Sequence, residues 1–333
     1  MTIAQRSPKF PGEMDYAALI PAFLKKKPEP GWLVVQIGAN TARFAHVWAP
    51  EDGRPKVLFC EEREWSAEDP RSLEKACKEM RAERFRCMTV LEAKDYQMLV
   101  VDAPNVEPGE LKSAVRWRIK DMISYGVDDA VVDVLRIPPA PNSPAQEHSV
   151  YAVSVRADIV QKIAAQFAGL RVPLTVIDIP DTAQRNLSAH LEAEGKGLVL
   201  VSFAEDGGLI TFTCGGELYL ARRIDVDTAA VGEPDESRRA LHIERAALEI
   251  QRSLDHFDRQ FHHIVLDRVL VAPVAGVDDL AGRLAASVFV PVERFDLESV
   301  VDVSEVPPLQ EAGFQSRWLK LIGAGMRPDT GAA

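Results

Sequence analysis

The sequence predicts an α/β protein with two lobes, each a mixed sheet flanked by helices, and three observations support this fold class. The chain has 333 residues, more than the roughly 250–300 that a single hydrophobic core usually serves. Hydrophobic residues make up 47% and charged residues 27%, which excludes a disordered or fibrous chain. A run of three strands followed by a helix begins near Trp32 and begins again near Gly197. We therefore expect two similar units.

The first unit opens with two β-rich runs, 32–37 and 42–48, joined by the glycine-containing turn 38–41. This spacing is typical of a β-hairpin. Apolar residues at helical spacing then predict a helix between two further strands. The strand, helix and strand are predicted at 57–62, 70–83 and 85–91.

The second unit repeats this order, with glycine pairs at Gly207-Gly208 and Gly215-Gly216 separating three strands. The helix that follows has the most regular apolar spacing in the chain. Its apolar positions are Ile243, Ala247, Ile250, Leu254, Phe257 and Phe261. The predicted strands are 198–203, 208–214, 217–224, 269–272 and 289–293, with a second helix at 278–287.

An additional segment with its own predicted helices and strands lies between the two units. Pro108 precedes a helix whose apolar face is expected to consist of Leu111, Ala114, Val115, Ile119 and Met122. The other predicted elements are strands at 130–137, 149–155 and 174–179, helices at 158–168 and 182–194, and a proline-rich loop at 138–144.

These elements predict the division of the chain into domains. The expected parts are an N-terminal arm at 1–30, a first lobe at 31–195 with an inserted subdomain at about 92–157, a second lobe at 196–305, a C-terminal helix at 306–327 that returns to the first lobe, and a tail at 328–333. Within the arm, 14–27 could form a short amphipathic helix ending in three lysines, which would suit an anionic membrane surface. A packed or frayed tail is the preferred reading.

Charge and cysteine content narrow the class of protein. The 39 basic and 50 acidic residues give a net charge of −11, which disfavours nucleic acid as a partner. The cysteines form no CxxC pair and no metal-ligand spacing, so we expect them to be reduced and mostly buried. The apolar runs have strand length, and the N-terminus has no signal-peptide pattern. We expect a cytoplasmic protein.

Three segments carry a resemblance to a known family. The runs 110–134 (ELKSAVRWRIKDMISYGVDDAVVDV), 246–261 (AALEIQRSLDHFDRQF) and 318–327 (WLKLIGAGMR) resemble the PilM family of type IV pilus platform proteins. The branch they resemble most serves mannose-sensitive haemagglutinin (MSHA) pili. This resemblance covers roughly residues 31–327 and implies the actin-like ATPase fold, related to ribonuclease H, with a PilM/FtsA-type subdomain inserted in the first lobe.

The resemblance also implies that two metal-positioning residues of an actin-like ATPase are replaced in this chain. Actin-like ATPases position Mg²⁺ and water with an aspartate at the end of a strand in each lobe. Here Gln36 and Ser202 stand at those positions, so we expect no catalysis and no resident cofactor or metal. Weak ATP/Mg binding without turnover remains an alternative, as does an active or nucleotide-gated ATPase. The residues for a vestigial nucleotide site are Gly38, Thr41, Arg43, Gly207, Gly208, Glu249 and Arg252.

Other chemistry is not favoured by the sequence. It contains no GxSxG, HExxH or P-loop motif. His256, His262 and His263 lie near the end of the long helix, but their spacing is wrong for ligands on adjacent turns, so we interpret them as surface residues. Four of the candidate nucleotide-site residues also have an ordinary structural interpretation. Gly207 and Gly208 would be turn residues, and Glu249 and Arg252 would lie on the solvated face of a helix.

The implied partners follow from the family. A PilN-like bitopic inner-membrane protein would bind through its cytoplasmic N-terminal peptide and hold this chain at the inner membrane. Leu111, Trp117 and Tyr125 in the inserted subdomain are the expected contact residues, since Trp117 lies on the shoulder of the apolar stripe that includes Leu111, Tyr125 follows in the turn, and aromatic anchors are enriched at binding hot spots. Packing of Trp117 and Tyr125 against the first lobe is the alternative. An assembly motor ATPase and a second copy of this chain are further candidate partners, and use as a secretion-system adaptor is an alternative function.

Overall fold

A computed structural model describes residues 28–140 and 149–327. The expected arm helix at 14–27, most of the proline-rich loop and the tail lie outside these residues. Within 28–140 and 149–327, no helix combines the length and apolar character needed to cross a membrane.

The first lobe is a five-stranded mixed sheet with helices. Its strands run in the spatial order β3-β2-β1-β4-β8, and the hairpin strands pair antiparallel while β1, β4 and β8 pair in parallel. The elements are β1 (Trp32–Ile37), β2 (Thr41–Trp48), β3 (Lys56–Glu64), α1 (Pro70–Glu79), β4 (Arg86–Val90), β8 (Leu174–Asp178) and α4 (Pro180–Ser188).

An insertion between β4 and β8 forms a three-stranded antiparallel sheet in the order β5-β7-β6. One helix packs on one face of this sheet through Val115 and Ile119. The elements are β5 (Tyr96–Asp102), α2 (Leu111–Arg118), β6 (Ala130–Arg136), β7 (Ser149–Arg156) and α3 (Ala157–Gly169). Strand β5 has no counterpart among the predicted elements, because its pairing with the distant β7 decides its conformation.

The second lobe repeats the strand order of the first. Its sheet reads β11-β10-β9-β12-β13, with an antiparallel three-stranded half and a parallel half. The elements are β9 (Gly197–Ala204), β10 (Gly207–Cys214), β11 (Glu217–Ile224), α5 (Thr228–Val231), α6 (Glu236–Gln260), β12 (Leu266–Val271), α7 (Leu280–Ala285) and β13 (Val292–Arg294). The predicted fold class of two lobes with mixed sheets is confirmed.

The last helix, α8 (Ala312–Gly325), joins the two lobes. Its Trp318 is buried in a core that includes Val34 of the first sheet and Leu200 of the second. Gly325 lies against Val34 and Val47, and Gly323 lies against the backbone of Ala183 in α4. These two glycines allow the close backbone approach that places α8 on the first lobe.

Several predicted boundaries were wrong. Helix α1 ends at Glu79 rather than at 83, because Arg81 adopts a left-handed conformation with φ of 51°. Helix α4 ends at Ser188 rather than at 194. Strand β13 begins at Val292, and Phe289 is 92% exposed rather than part of a strand. Met122 was expected on a buried face but is half exposed, since α2 ends at Arg118.

Candidate functional site

A cleft of about 990 Å³ opens between the two lobes. The β1–β2 turn and the β9–β10 turn line opposite sides of it, and residues of α4 and α8 also contribute to its walls. Its charged lining residues are Arg43, Glu92, Glu205, Asp206, Arg223, Glu311, Arg317 and Lys320. Four basic and four acidic side chains therefore share the lining, so the cleft has no excess of positive charge for a polyanion.

The first hairpin turn brings three predicted site residues to the cleft, namely Gly38, Thr41 and Arg43. The turn is closed by a hydrogen bond from the Gly38 amide to the Thr41 carbonyl at 2.8 Å. The Arg43 guanidinium is paired with Glu62 on the neighbouring strand. The Gln36 side chain also lines the cleft, and its buried Oε1 has no hydrogen-bond partner among the described residues.

The second hairpin turn presents acidic side chains to the cleft. Glu205 and Asp206 are exposed at the turn, and Gly207 follows with φ of 111°. The Asp206 carboxylate accepts a hydrogen bond from the Ala93 amide at 3.1 Å, which links the second lobe to the start of the insertion. Gly208 was predicted to contribute to the site, but it is buried between Phe203 and Ile224 and the cleft lining does not include it.

Ser202 is engaged within the protein rather than directed at a ligand. Its hydroxyl donates to Oε1 of Gln184 on α4 at 2.7 Å. The Gln184 amide group in turn donates to the Leu200 carbonyl at 2.5 Å and to the Thr211 hydroxyl at 3.0 Å. Both side chains line the cleft. Gln184 was not predicted from the sequence. The available signal was the run of polar residues that follows Pro180, which the structure places in a buried helix.

These residues do not fit a magnesium site. Mg²⁺ prefers carboxylate oxygens in near-octahedral geometry. Gln36 is neutral, and Ser202 uses its hydrogen to satisfy Gln184. No group of His, Cys, Asp and Glu residues that could hold a metal occurs in the described ranges, including around His256, His262 and His263. The carboxylates that do line the cleft, among them Glu205 and Asp206, belong to no such group.

A buried polar cluster joins the insertion, α4 and the second lobe beside the cleft. The Tyr96 hydroxyl donates to the Asp181 carboxylate and accepts from the Arg223 guanidinium, and Arg223 lies 3.2 Å from Asp181. Burial, followed by the Asp181 charge, holds the pKa of Tyr96 far above its usual value. The three side chains come from distant parts of the chain, so sequence patterns did not reveal the cluster.

Lys320 extends from α8 into the cleft. It makes no hydrogen bond and no ion pair within 4.0 Å to any residue that the structure describes. Burial lowers the pKa of Lys320 below its usual value; Asp206, Glu92 and Glu205 act to raise it, and Arg43 acts to lower it. The ammonium group is therefore partly desolvated, and the carboxylates that favour its charged form belong to both lobes.

Two predicted site residues lie away from the cleft. Glu249 and Arg252 are not part of its lining and form an ion pair of 2.6 Å with each other on α6. Residues 272–275 do line the cleft. Ala272 and Pro273 are buried there, and neither residue is a glycine.

The predicted partner-binding residues differ in their exposure. Trp117 is 59% exposed on α2, which excludes a role in the core. Leu111 is half-buried against the inserted sheet. Tyr125 is half-buried and shares a hydrogen bond of 2.9 Å with the Ser154 hydroxyl. Of the three, Trp117 offers the largest accessible apolar surface.

The cysteines offer no reactive centre. All four are free thiols, with Cys77 and Cys87 buried and Cys60 and Cys214 half-buried. Burial raises the pKa of Cys60 to about 12 and that of Cys77 to about 11. Because the thiolate is the nucleophile, these thiols are unreactive near neutral pH.

Two units of three antiparallel strands that face each other across a cleft define the class: this chain has the actin-like ATPase fold. Among solved structures, a chain of the PilM-PilN type IV pilus biogenesis complex is similar to it. The TM-score is 0.69 at 16% sequence identity, and the match covers 90% of this chain and 100% of that one. At this identity the likeness establishes a shared fold.

Two further solved structures are less similar. The cytoplasmic domain of EpsL, an inner membrane component of the type II secretion system of Vibrio cholerae, has a TM-score of 0.46 at 12% identity, covering 90% of this chain and 98% of that one. A protein of Bacteroides thetaiotaomicron with an actin-like ATPase fold has a TM-score of 0.45 at 11% identity, with the same coverage. No protein-family model matches the sequence, and no curated protein matches it significantly.

Proposed function

We propose that this chain is a non-catalytic scaffold of a type IV pilus assembly machine, the MSHA-type counterpart of PilM known as MshI. The main support for this proposal is that the protein shares its fold with a chain of the PilM-PilN complex over that chain's full length. The sequence resemblance in 110–134, 246–261 and 318–327 supports the same assignment.

The absence of catalysis is part of this proposal, and the cleft supports it. Phosphoryl transfer depends on positioning and on neutralising phosphate charge with a metal. Gln36 and Ser202 leave no strand-end carboxylate for Mg²⁺, and Glu205 and Asp206 would repel a phosphate chain at the second turn. The protein is thus a pseudo-ATPase in which any nucleotide binds weakly.

A titration tests this statement directly. A fluorescent ATP analogue is added to the protein with Mg²⁺ and with EDTA, and phosphate release is assayed in parallel. We expect no phosphate release and weak binding at most. Turnover that is lost in Gln36→Ala and Ser202→Ala would overturn the proposal and support an active or nucleotide-gated ATPase.

We further propose that a PilN-like bitopic inner-membrane protein binds here through its cytoplasmic N-terminal peptide. The PilM-PilN complex provides the precedent for such a pair. The exposed indole of Trp117 offers an apolar surface on the insertion, where a peptide can dock, and the half-buried Leu111 and Tyr125 would complete the site. The chain would then reside in the cytoplasm, peripheral to the inner membrane. An assembly motor ATPase and a second copy of this chain are further candidate partners, and a secretion-system adaptor is the alternative function.

Substitution of Trp117 tests the docking surface. We expect Trp117→Ser to weaken binding of the partner's N-terminal peptide by about 2 kcal/mol or more, as for a central aromatic anchor, while the melting temperature changes little. Trp48→Ser is the matched control, because Trp48 is also exposed but lies on β2 in the first sheet. Equal binding by Trp117→Ser and the native protein would remove Trp117 from the interface.

A further inference from the structure

Helix α6 is the longest helix among the described residues, with 25 residues. Its inner face packs into the second lobe through Ile243, Ile250, Leu254 and Phe257. Residues 246–260 of this helix belong to a segment that the sequence analysis singled out, yet neither the cleft nor the proposed peptide surface uses the outer face of the helix. This outer face therefore has no role in the function proposed above.

Two large apolar side chains stand on that outer face. Leu241 is 64% exposed and Leu248 is 51% exposed. They are seven residues apart, which is about 20° short of two helical turns, so they lie in one row. Exposed leucines in a regular row are unusual on a solvated helix, because a surface helix normally keeps its apolar residues on the core side.

An arginine row runs beside the leucines. Its members are also spaced by seven residues and are all exposed: Arg238, Arg245, Arg252 and Arg259. Arg245 pairs with Asp225 at 2.8 Å and Arg252 pairs with Glu249 at 2.6 Å, both in exposed positions. Such exposed pairs contribute little to stability. Arg238 and Arg259 make no side-chain ion pair with any residue in the described ranges.

We propose that the outer face of α6 is a docking surface for a partner helix that carries carboxylates at seven-residue spacing with leucine-like residues beside them. Charge complementarity favours this occupant, since four exposed arginines form one flank of the face and two of them, Arg238 and Arg259, have no ion pair with a described residue, so an acidic helix would match this flank. Leu241 and Leu248 would supply the apolar seam. From Arg238 to Arg259 the row spans about 32 Å at 1.5 Å per residue, so it accommodates a helix of similar length.

The same face is less suited to two other occupants. Glu244 and Asp255 are exposed on the flank of the leucine row opposite the arginines, and they would oppose flat binding to an anionic membrane. A second copy of this chain, docked antiparallel on the same face, would set its arginine row against the identical row, and these like charges would repel each other. A partner helix with one acidic flank avoids both conflicts.

A designed peptide tests the surface in the full-length protein. The probe is a fluorescein-labelled helix of three heptads, with one leucine and one glutamate per heptad at the facing positions. The comparison peptide has lysine in place of each glutamate. We expect fluorescence anisotropy to show binding of the acidic peptide about tenfold or more tighter than that of the lysine peptide, with weakening as salt rises.

Variants locate the binding. The double variant Leu241→Ser/Leu248→Ser should lose tenfold or more in affinity for the acidic peptide, with an unchanged circular dichroism spectrum. Val265→Ser is the matched control, since Val265 is equally exposed but lies off the helix. Equal affinity for the two peptides, or an unaffected double variant, overturns the proposal. So does stronger binding to phosphatidylglycerol vesicles, or self-association in sedimentation that the double variant abolishes.

Discussion

The Ser202 hydroxyl hydrogen-bonds to Oε1 of Gln184, and this contact ties strand β9 to helix α4 where an actin-like ATPase would hold a metal ligand. The position is thus occupied by an internal structural contact. Because Gln184 also donates to the Leu200 carbonyl and to Thr211, its side chain is satisfied without a ligand. This contact holds β9 against α4 at the wall of the cleft.

The Ser202–Gln184 contact should be measurable as a coupling energy. We expect Ser202→Ala to lower the free energy of unfolding by about 1 kcal/mol. Gln184→Leu should cost about 2–3 kcal/mol, because it leaves buried polar groups of β9 and β10 unsatisfied. A double-mutant cycle read by chemical denaturation should show non-additivity. Purely additive effects would mean that the two side chains act independently.

The cluster of Tyr96, Asp181 and Arg223 should contribute to the stability of the protein through the Tyr96 hydroxyl group. Tyr96→Phe removes the hydroxyl that bridges Asp181 and Arg223, so we expect a loss of about 1–3 kcal/mol in unfolding free energy. Tyr219→Phe is the control: Tyr219 is half-buried and its hydroxyl makes no hydrogen bond to a residue of the described chain. A loss in Tyr96→Phe no larger than in this control would contradict the role of the cluster.

The same tyrosine predicts a dependence on alkaline pH. The folded-state pKa of Tyr96 is raised above the ordinary value of 10.0, so the unfolded chain releases its proton first. The stabilisation is complete below pH 10 and is lost progressively as pH rises above it. Tyr96→Phe should flatten this part of the pH profile of unfolding free energy. An identical alkaline decline in the variant and the native protein would assign it to other groups.

Lys320 should destabilise the folded protein near neutral pH. Its folded-state pKa is lowered from 10.5, mainly by burial, so the charged form is less favourable in the folded state than in the unfolded one. Lys320→Met should therefore raise the melting temperature at pH 7, with the difference shrinking toward pH 10.5 as the native lysine loses its proton. Lys75→Met, at an exposed position on α1, serves as control. A destabilised Lys320→Met would show that the ammonium group is needed in the cleft.

Gly323 should not tolerate a side chain. A Cβ atom there would lie 2.3 Å from the Ala183 carbonyl oxygen, and backbone cannot move aside without shifting α8 from α4. We expect Gly323→Ala to cost about 1–3 kcal/mol of unfolding free energy, despite the higher helix propensity of alanine. Gly169→Ala at the end of α3 is the control, since no atom lies within 4 Å of its added Cβ. Equal stability of the two variants would disprove the close approach.

Local patterns in the sequence were sufficient for the repeated part of the fold. Glycine turns and alternating or helical apolar spacing predicted the three-stranded hairpin units and the helix α6, because these signals act over a few neighbouring residues. Boundaries were missed where backbone conformation or a distant partner decided them, as at Arg81 and in strand β5. Side-chain exposure on α2 was also misjudged, since Met122 follows the end of the helix.

The sequence by itself determined that Gln36 and Ser202, rather than acids, stand near the ends of β1 and β9, because the identity of a residue is independent of the fold. Only the tertiary structure decided which residues meet in the cleft. It brought Gln184 to Ser202 and Lys320 between the lobes, and it placed Glu249 and Arg252 elsewhere. The reason is physical: helical and strand periods assign a side chain to a face, whereas strand pairing and helix packing between distant segments decide what that face contacts.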